Sequence, residues 1–225
     1  MSKSTGKNSN YKNNIGDTAV KTSNKSLSGD QVKNIIIWSS VGVVILGLII
    51  AVIISSIPRT YYVEMDFGDY GSIVIELNED DAPITVKNFV KLVKDGFYDG
   101  RTIFRAQKGF VIQGGRDEDG SVSPIKGEFE SNGVVNNISH VRGVISMARS
   151  NDPDSATSQF FITLDDSAAY SLDGSYAGFG HVIEGMDVVD AIAEALYGHA
   201  VDGMGFVADE DAITIVSAKI IKYKK

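Results

Sequence analysis

From Ile35 to Ile57 the chain reads IIIWSSVGVVILGLIIAVIISSI, without one charged side chain. A helix in the core of a globular domain is usually apolar along one stripe, not all round for this length. Wound as a helix at 1.5 Å per residue, such a run covers about 35 Å, enough to cross a hydrocarbon layer of ~30 Å with some tilt. The sequence therefore predicts one transmembrane helix over 35–57, a tail over 1–34 and a folded domain over 58–225. Lys3, Lys7, Lys12, Lys21, Lys25 and Lys33 precede the span, against only Asp17 and Asp30. Arg59 follows it, and then Glu64, Asp66 and Asp69. The lysine excess on the amino side predicts a single-pass protein of the cell membrane, with a cytoplasmic amino terminus and its domain outside. A cleaved signal peptide fits less well. The segment before the run is long and polar, the run exceeds an h-region, and Ile57 stands where a small residue is wanted. A cleaved lipoprotein needs a cysteine, and the chain has none. The reading is an uncleaved signal anchor.

The tail is rich in Ser, Asn, Lys and Gly, with little to bury, and reads as a disordered cytoplasmic segment. Its lysines are accounted for by orientation, without invoking lipid heads. From Arg59 onward, 15 Lys and Arg face 27 Asp and Glu, a net charge of −12. That balance argues against a nucleic acid partner and for a domain kept soluble and off an anionic membrane. Absence of cysteine rules out disulfides, metal thiolates and cysteine nucleophiles. Pro58 to Tyr61 is the only evident linker, so the domain is expected close to the bilayer.

Within the domain, strand patterns dominate. Tyr61–Phe67 and Ser72–Leu77 flank a GDYG turn. Further strand candidates are Ile103–Gln107, Phe110–Gln113, Gly143–Met147, Gln159–Thr163, Gly178–Ile183 and Ile213–Ile221. Two stretches have helical spacing instead. Val86, Phe89, Val90 and Val93 recur in Pro83–Asp95, with Pro83 suited to a first turn and Gly96 to a stop. Val188, Val189, Ile192 and Ala195 do the same in Met186–Ala195. Periodicity alone gives a mainly β domain with two helices.

The chemistry concentrates in two strings: FRAQKGFVIQGG, Phe104 to Gly115, and SMARSNDPDSATSQFFI, Ser146 to Ile162. Neither holds a Ser–His–Asp set or paired carboxylates. His140, His181 and His199 are too scattered to suggest a metal, no phosphate loop is present, and no cofactor is expected. These strings, with APITVKNFVKLVKDGFYDG from Ala82 and LDGSYAGFGHVIEGMDVVDAI from Leu172, resemble in order and spacing the cyclophilins, the peptidyl-prolyl cis/trans isomerases. The resemblance covers Tyr61–Ile221. It implies a closed antiparallel barrel of eight strands capped by two helices, acting on proline-containing polypeptides. Such a reaction breaks no covalent bond; it lowers a rotational barrier of about 18–20 kcal/mol about X–Pro. A site for it needs an apolar pocket for the ring and a fixed donor.

By this resemblance Arg105, Phe110 and Gln113 are the catalytic residues, and Val111, Ala148, Arg149, Gln159, Phe161, Leu172 and Tyr176 bind substrate. Arg105 carries a permanent charge and five donors. It is expected to hold the substrate carbonyl and donate toward the proline nitrogen, which accepts better as amide resonance is lost. Phe110 and Phe161 form the floor and wall of the pocket, with Leu172 closing a side. Phe160 points the other way and packs. Gln113 and Gln159 orient Arg105 and bind substrate backbone, while Ala148 and Arg149 offer it backbone hydrogen bonds. Three departures stand out. Phe104 replaces the family's usual histidine, Val111 a common methionine, and Ser171 a tryptophan associated with tight cyclosporin binding, a gap that Tyr170 beside it partly fills. The reading is an isomerase assisting the folding of exported proteins. A non-catalytic proline-binding module and a membrane-tethered scaffold are the alternatives.

Overall fold

A computed structural model describes residues 27–55 and 60–224. The chain divides into two units, 1–56 and 57–225. In the first, helix α1 runs over Gly29–Ser55, 27 residues. Among the described residues, taken alone, no helix is long and apolar enough to cross a membrane. The span expected over 35–57 coincides largely with α1, but the side chains at 35–36, 39–40 and 51–55, and residues 56–57, lie outside the described residues, as does most of the tail. The described α1 side chains, Trp38, Val43 and Leu48 among them, are exposed.

The second unit is one curled antiparallel sheet with helices against it. In chain order its elements are β1 (Thr60–Asp66), β2 (Ser72–Asn78), α2 (Pro83–Lys94), β3 (Thr102–Gln107), β4 (Val111–Gly114), β5 (Val144–Met147), β6 (Phe160–Thr163), a single turn α3 (Ala169–Leu172), β7 (Gly178–Glu184), α4 (Met186–Tyr197), β8 (Ile213–Thr214) and β9 (Ser217–Ile221). The sheet order is β8-β3-β4-β6-β5-β7-β2-β1-β9.

Two expectations need correction. Among the described residues the sheet has nine strands, not eight, and its ladder does not close into a ring; it is a curled half-barrel. One break causes both differences. The run expected as one strand over Ile213–Ile221 changes partners at its middle. The Ile215 N–H donates to the Arg101 carbonyl on the β3 side, and the next N–H, of Val216, donates to the Asp66 carbonyl on the β1 side. The two halves thus become the two edge strands. Between β1 and β2, Gly68–Tyr70 forms a single 3-10 turn.

The helices pack as their apolar stripes direct. Val86, Phe89, Val90 and Val93 of α2 are all buried. In α4 the stripe is shifted: Val189, Ile192, Ala193 and Leu196 are buried, while Val188 and Ala195 are only partly so. The core joins these faces to Met65, Ile73, Ile75, Ile112, Phe160 and Phe179. Phe89 meets the Phe160 ring edge-on at 5.9 Å, a favoured aromatic geometry.

Candidate active site

Strand register builds the site. Arg105 pairs with Gln113 across β3 and β4, and Gln113 pairs with Phe161 across β4 and β6. Directly paired residues share a face, so guanidinium, amide and ring form one row. Alternation along β6 sends Phe160 into the main core and Phe161 to the opposite side, as expected. There Phe161 forms a small second cluster with Val111, Ala168 and Leu172, against which Phe110, Ala148 and Tyr176 pack.

This cluster floors a pocket of about 310 Å³. Nine of the ten residues assigned from sequence line it: Arg105, Phe110, Val111, Gln113, Ala148, Arg149, Phe161, Leu172 and Tyr176. Gln159 instead lines an adjoining pocket, shared with Gln113, Ala148 and Arg149. Phe206 also lines the main pocket and was not anticipated. It lies in a loop with no helical or strand period, beyond the segments that carry the family spacing.

Arg105 is held on three sides. Its Nε donates to the Met204 carbonyl at 2.8 Å, and its two terminal nitrogens donate to Gln113 Oε1 at 2.8 Å and Gln107 Oε1 at 2.7 Å. Gln113 in turn donates to Gln159 Oε1 at 3.0 Å, so both glutamines fix the guanidinium through one relay. Of five N–H donors, two remain for a ligand. Burial lowers the Arg105 pKa from its ordinary value, opposed by Asp202 and then Tyr176.

Two rim residues have partners within the chain. The Ala148 N–H already donates to the Gln159 carbonyl at 2.9 Å, so it is not offered to a peptide. The Arg149 guanidinium lies 5.0 Å from the Phe129 ring and 4.7 Å from that of Tyr176, and donates to the Ser175 carbonyl. It clamps the rim. Of the three departures, Val111 is fully packed in the floor, and Phe104 is buried against Phe206. Ser171 donates to the Ala168 carbonyl. Tyr170 is 95% exposed and fills no gap there.

Behind Phe161 lies a support that sequence gave no reason to suspect. The His140 ring stacks on Phe161 at 6.0 Å, with Nδ1 2.8 Å from Asp173 Oδ1 and Nε2 2.9 Å from the Ser146 hydroxyl. Asp173 directly follows Leu172 of the pocket, so this relay ties wall to rim. Burial lowers the His140 pKa, and Asp173 only partly opposes this. Between that lowered value and about 6.5 the unfolded chain binds a proton that the folded chain refuses, so stability falls as pH falls through this window. Burial lowers His181 too, in the same direction. The denaturation midpoint of the parent should therefore drop from pH 7.5 to pH 5. His140→Gln should show a shallower drop, the difference isolating His140; equal slopes would show that it does not titrate there.

The profile of the family described as "Cyclophilin type peptidyl-prolyl cis-trans isomerase/CLD" matches residues 62–220. A peptidyl-prolyl cis-trans isomerase of Acinetobacter baylyi is 48% identical over 131 residues, 55% of this chain and 67% of that protein. Peptidyl-prolyl cis-trans isomerase A of Dickeya dadantii is 39% identical over 160 residues, 68% and 80% of the two chains. Among solved structures, a cyclophilin-type isomerase of Cryptosporidium parvum, crystallised in the presence of the dipeptide Ala-Pro, superposes with a TM-score of 0.60 at 27% identity, covering 72% of this chain and 99% of its own. A fixed arginine beside an apolar floor suits rotation about a bond better than cleavage of one, and with this kinship the conclusion is direct: the chain belongs to the cyclophilin-type peptidyl-prolyl cis-trans isomerases.

Proposed function

We propose that this isomerase works on exported chains at the outer face of the cell membrane, held there by α1, with Arg105 as its catalytic donor. The observation that carries the catalytic assignment is the three-point fixation of Arg105 at the mouth of an apolar pocket. A proline ring seated on Phe110, Val111, Phe161 and Leu172 leaves its nitrogen near the two uncommitted guanidinium N–H groups. Twisting the bond localises the lone pair on that nitrogen, so the hydrogen bond strengthens on the way to the transition state. Because Arg105 is already oriented, little reorganisation accompanies the step. Tyr176 and Leu172 bound the ring laterally, and Gln159 together with the Ala148 carbonyl suits the flanking backbone.

The anchor is supported by the uncharged run 35–57 and by the 27-residue helix α1 that contains most of it. Its orientation rests on the six lysines before the run. Uncatalysed X–Pro isomerisation takes tens of seconds or more, which gives a tethered foldase a use where chains emerge unfolded. Protease added to intact cells should release the domain carboxyl-terminal to the run while an amino-terminal tag stays protected. A domain that resists digestion until the membrane is permeabilised would overturn the orientation.

A further inference from the structure

Asp202 to Phe206, DGMGF, forms a tight turn pressed against the outer edge of β3. One Asp202 carboxylate oxygen accepts the N–H of Met204 at 2.9 Å and of Phe206 at 3.1 Å. The Val201 N–H closes the turn on the Phe206 carbonyl at 2.7 Å. Gly205 has φ +83°, and a Cβ there would stand 2.2 Å from the Ala106 carbonyl oxygen. Only glycine allows so close an approach. The turn then docks through Ala106 N–H to the Gly205 carbonyl and Val207 N–H to the Phe104 carbonyl.

This docking delivers two groups to the site. The Met204 carbonyl holds Arg105, and the Phe206 ring lies 5.3 Å from the guanidinium carbon. Phe206 also stacks on Phe104 at 6.1 Å and 17°. The phenylalanine at the family's histidine position thus supports an aromatic side chain of the loop. The sheet order fixes where this ring stands. Ala148 and Arg149 follow β5, at one end of the row β3-β4-β6-β5, whereas the Asp202–Phe206 turn borders β3 at the other. The pocket therefore has an apolar ledge on the side away from Ala148.

We infer that Phe206 is a specificity-determining residue, a ledge for an apolar side chain flanking the substrate proline on the side opposite Ala148. This rests on isomerisation occurring at the Arg105 pocket. A ring there adds apolar contact expected to give about a tenfold preference, ~1.4 kcal/mol. The test uses the full chain in detergent micelles and exchange spectroscopy on short prolyl peptides with Phe, Leu or Gly on either side of the proline. The parent should favour Phe over Gly about tenfold in kcat/KM on one side only, chiefly through KM. Phe206→Ala should bring that ratio close to one, and Phe206→Leu should retain part of it. The ratio is independent of the folded fraction, so a destabilised variant still reads out. A ratio unchanged in Phe206→Ala, or a parent without preference on either side, overturns the inference. A parent that isomerises none of the peptides would instead overturn the activity beneath it.

Discussion

Arg105→Ala is expected to lose at least about 100-fold of kcat/KM on a prolyl peptide, about 2.7 kcal/mol, the scale of one lost transition-state donor. The loss should fall on kcat, since apolar contacts with Phe110, Val111, Phe161 and Leu172 hold the ring in both ground and transition states. The fold should survive. The acceptors left behind, Met204 O, Gln113 Oε1 and Gln107 Oε1, lie at the mouth of an open pocket where water can reach them. Arg105→Lys separates charge from geometry. A lysine cannot reach three acceptors around a planar fork and still present donors to the substrate, so most activity should go with it. A folded Arg105→Ala variant with near-parental turnover would show that the guanidinium is an ordinary surface charge and that catalysis lies elsewhere. Phe110 gives a useful contrast. It is half-buried rather than sealed in the core, so its truncation should act on substrate binding more than on stability.

Much of this site was legible in the chain because it is carried by strands. Alternation along QFFI separates Phe160 from Phe161, and the spacing from Arg105 through Gln113 brings guanidinium and amide onto one face across a short turn. What escaped has no period. Phe206 comes from a turn whose position depends on Gly205 fitting against a carbonyl of a strand 99 residues earlier, and nothing in DGMGF signals that strand. The strand count failed at Ile215–Val216 for a similar reason. Both residues are β-branched and read as strand, yet consecutive N–H groups bond to opposite edges of the sheet. Local propensity does not report which neighbour a strand will meet. Nor does anything in SMARSNDPD announce that the Arg149 side chain lies against Phe129 and Tyr176. The aromatic cage makes it a clamp.

Glu128→Ala should be the most costly substitution of a single polar group remote from the pocket, at about 3 kcal/mol of unfolding free energy. Helix α2 begins at Ala82 and Pro83 with no side-chain cap of its own. The carboxylate of Glu128, 2% exposed, supplies it from more than 40 residues away. Its oxygens accept the Ile84 N–H at 2.9 Å, the Thr85 N–H at 2.7 Å and the Thr85 hydroxyl at 2.7 Å. The positive end of the helix dipole favours a charge there. Alanine relieves the burial of that charge but leaves two N–H groups and a hydroxyl without acceptors, and the second effect is the larger. Glu128→Gln keeps one acceptor but turns an NH2 toward the other donors, so it should recover less than half of the loss. Denaturant unfolding should show a lowered midpoint with an unchanged slope for both variants. The effect should reach the site as well. Glu128 is followed by Phe129, whose ring faces Arg149 at the pocket rim, and its carbonyl accepts from Asn136, which also binds the Gly178 carbonyl. Loosening this segment should raise KM while leaving the Arg105 row, anchored on β3 and β4, able to turn over bound substrate. A Glu128→Ala variant within 0.5 kcal/mol of the parent would show that water caps the helix as well as the carboxylate does.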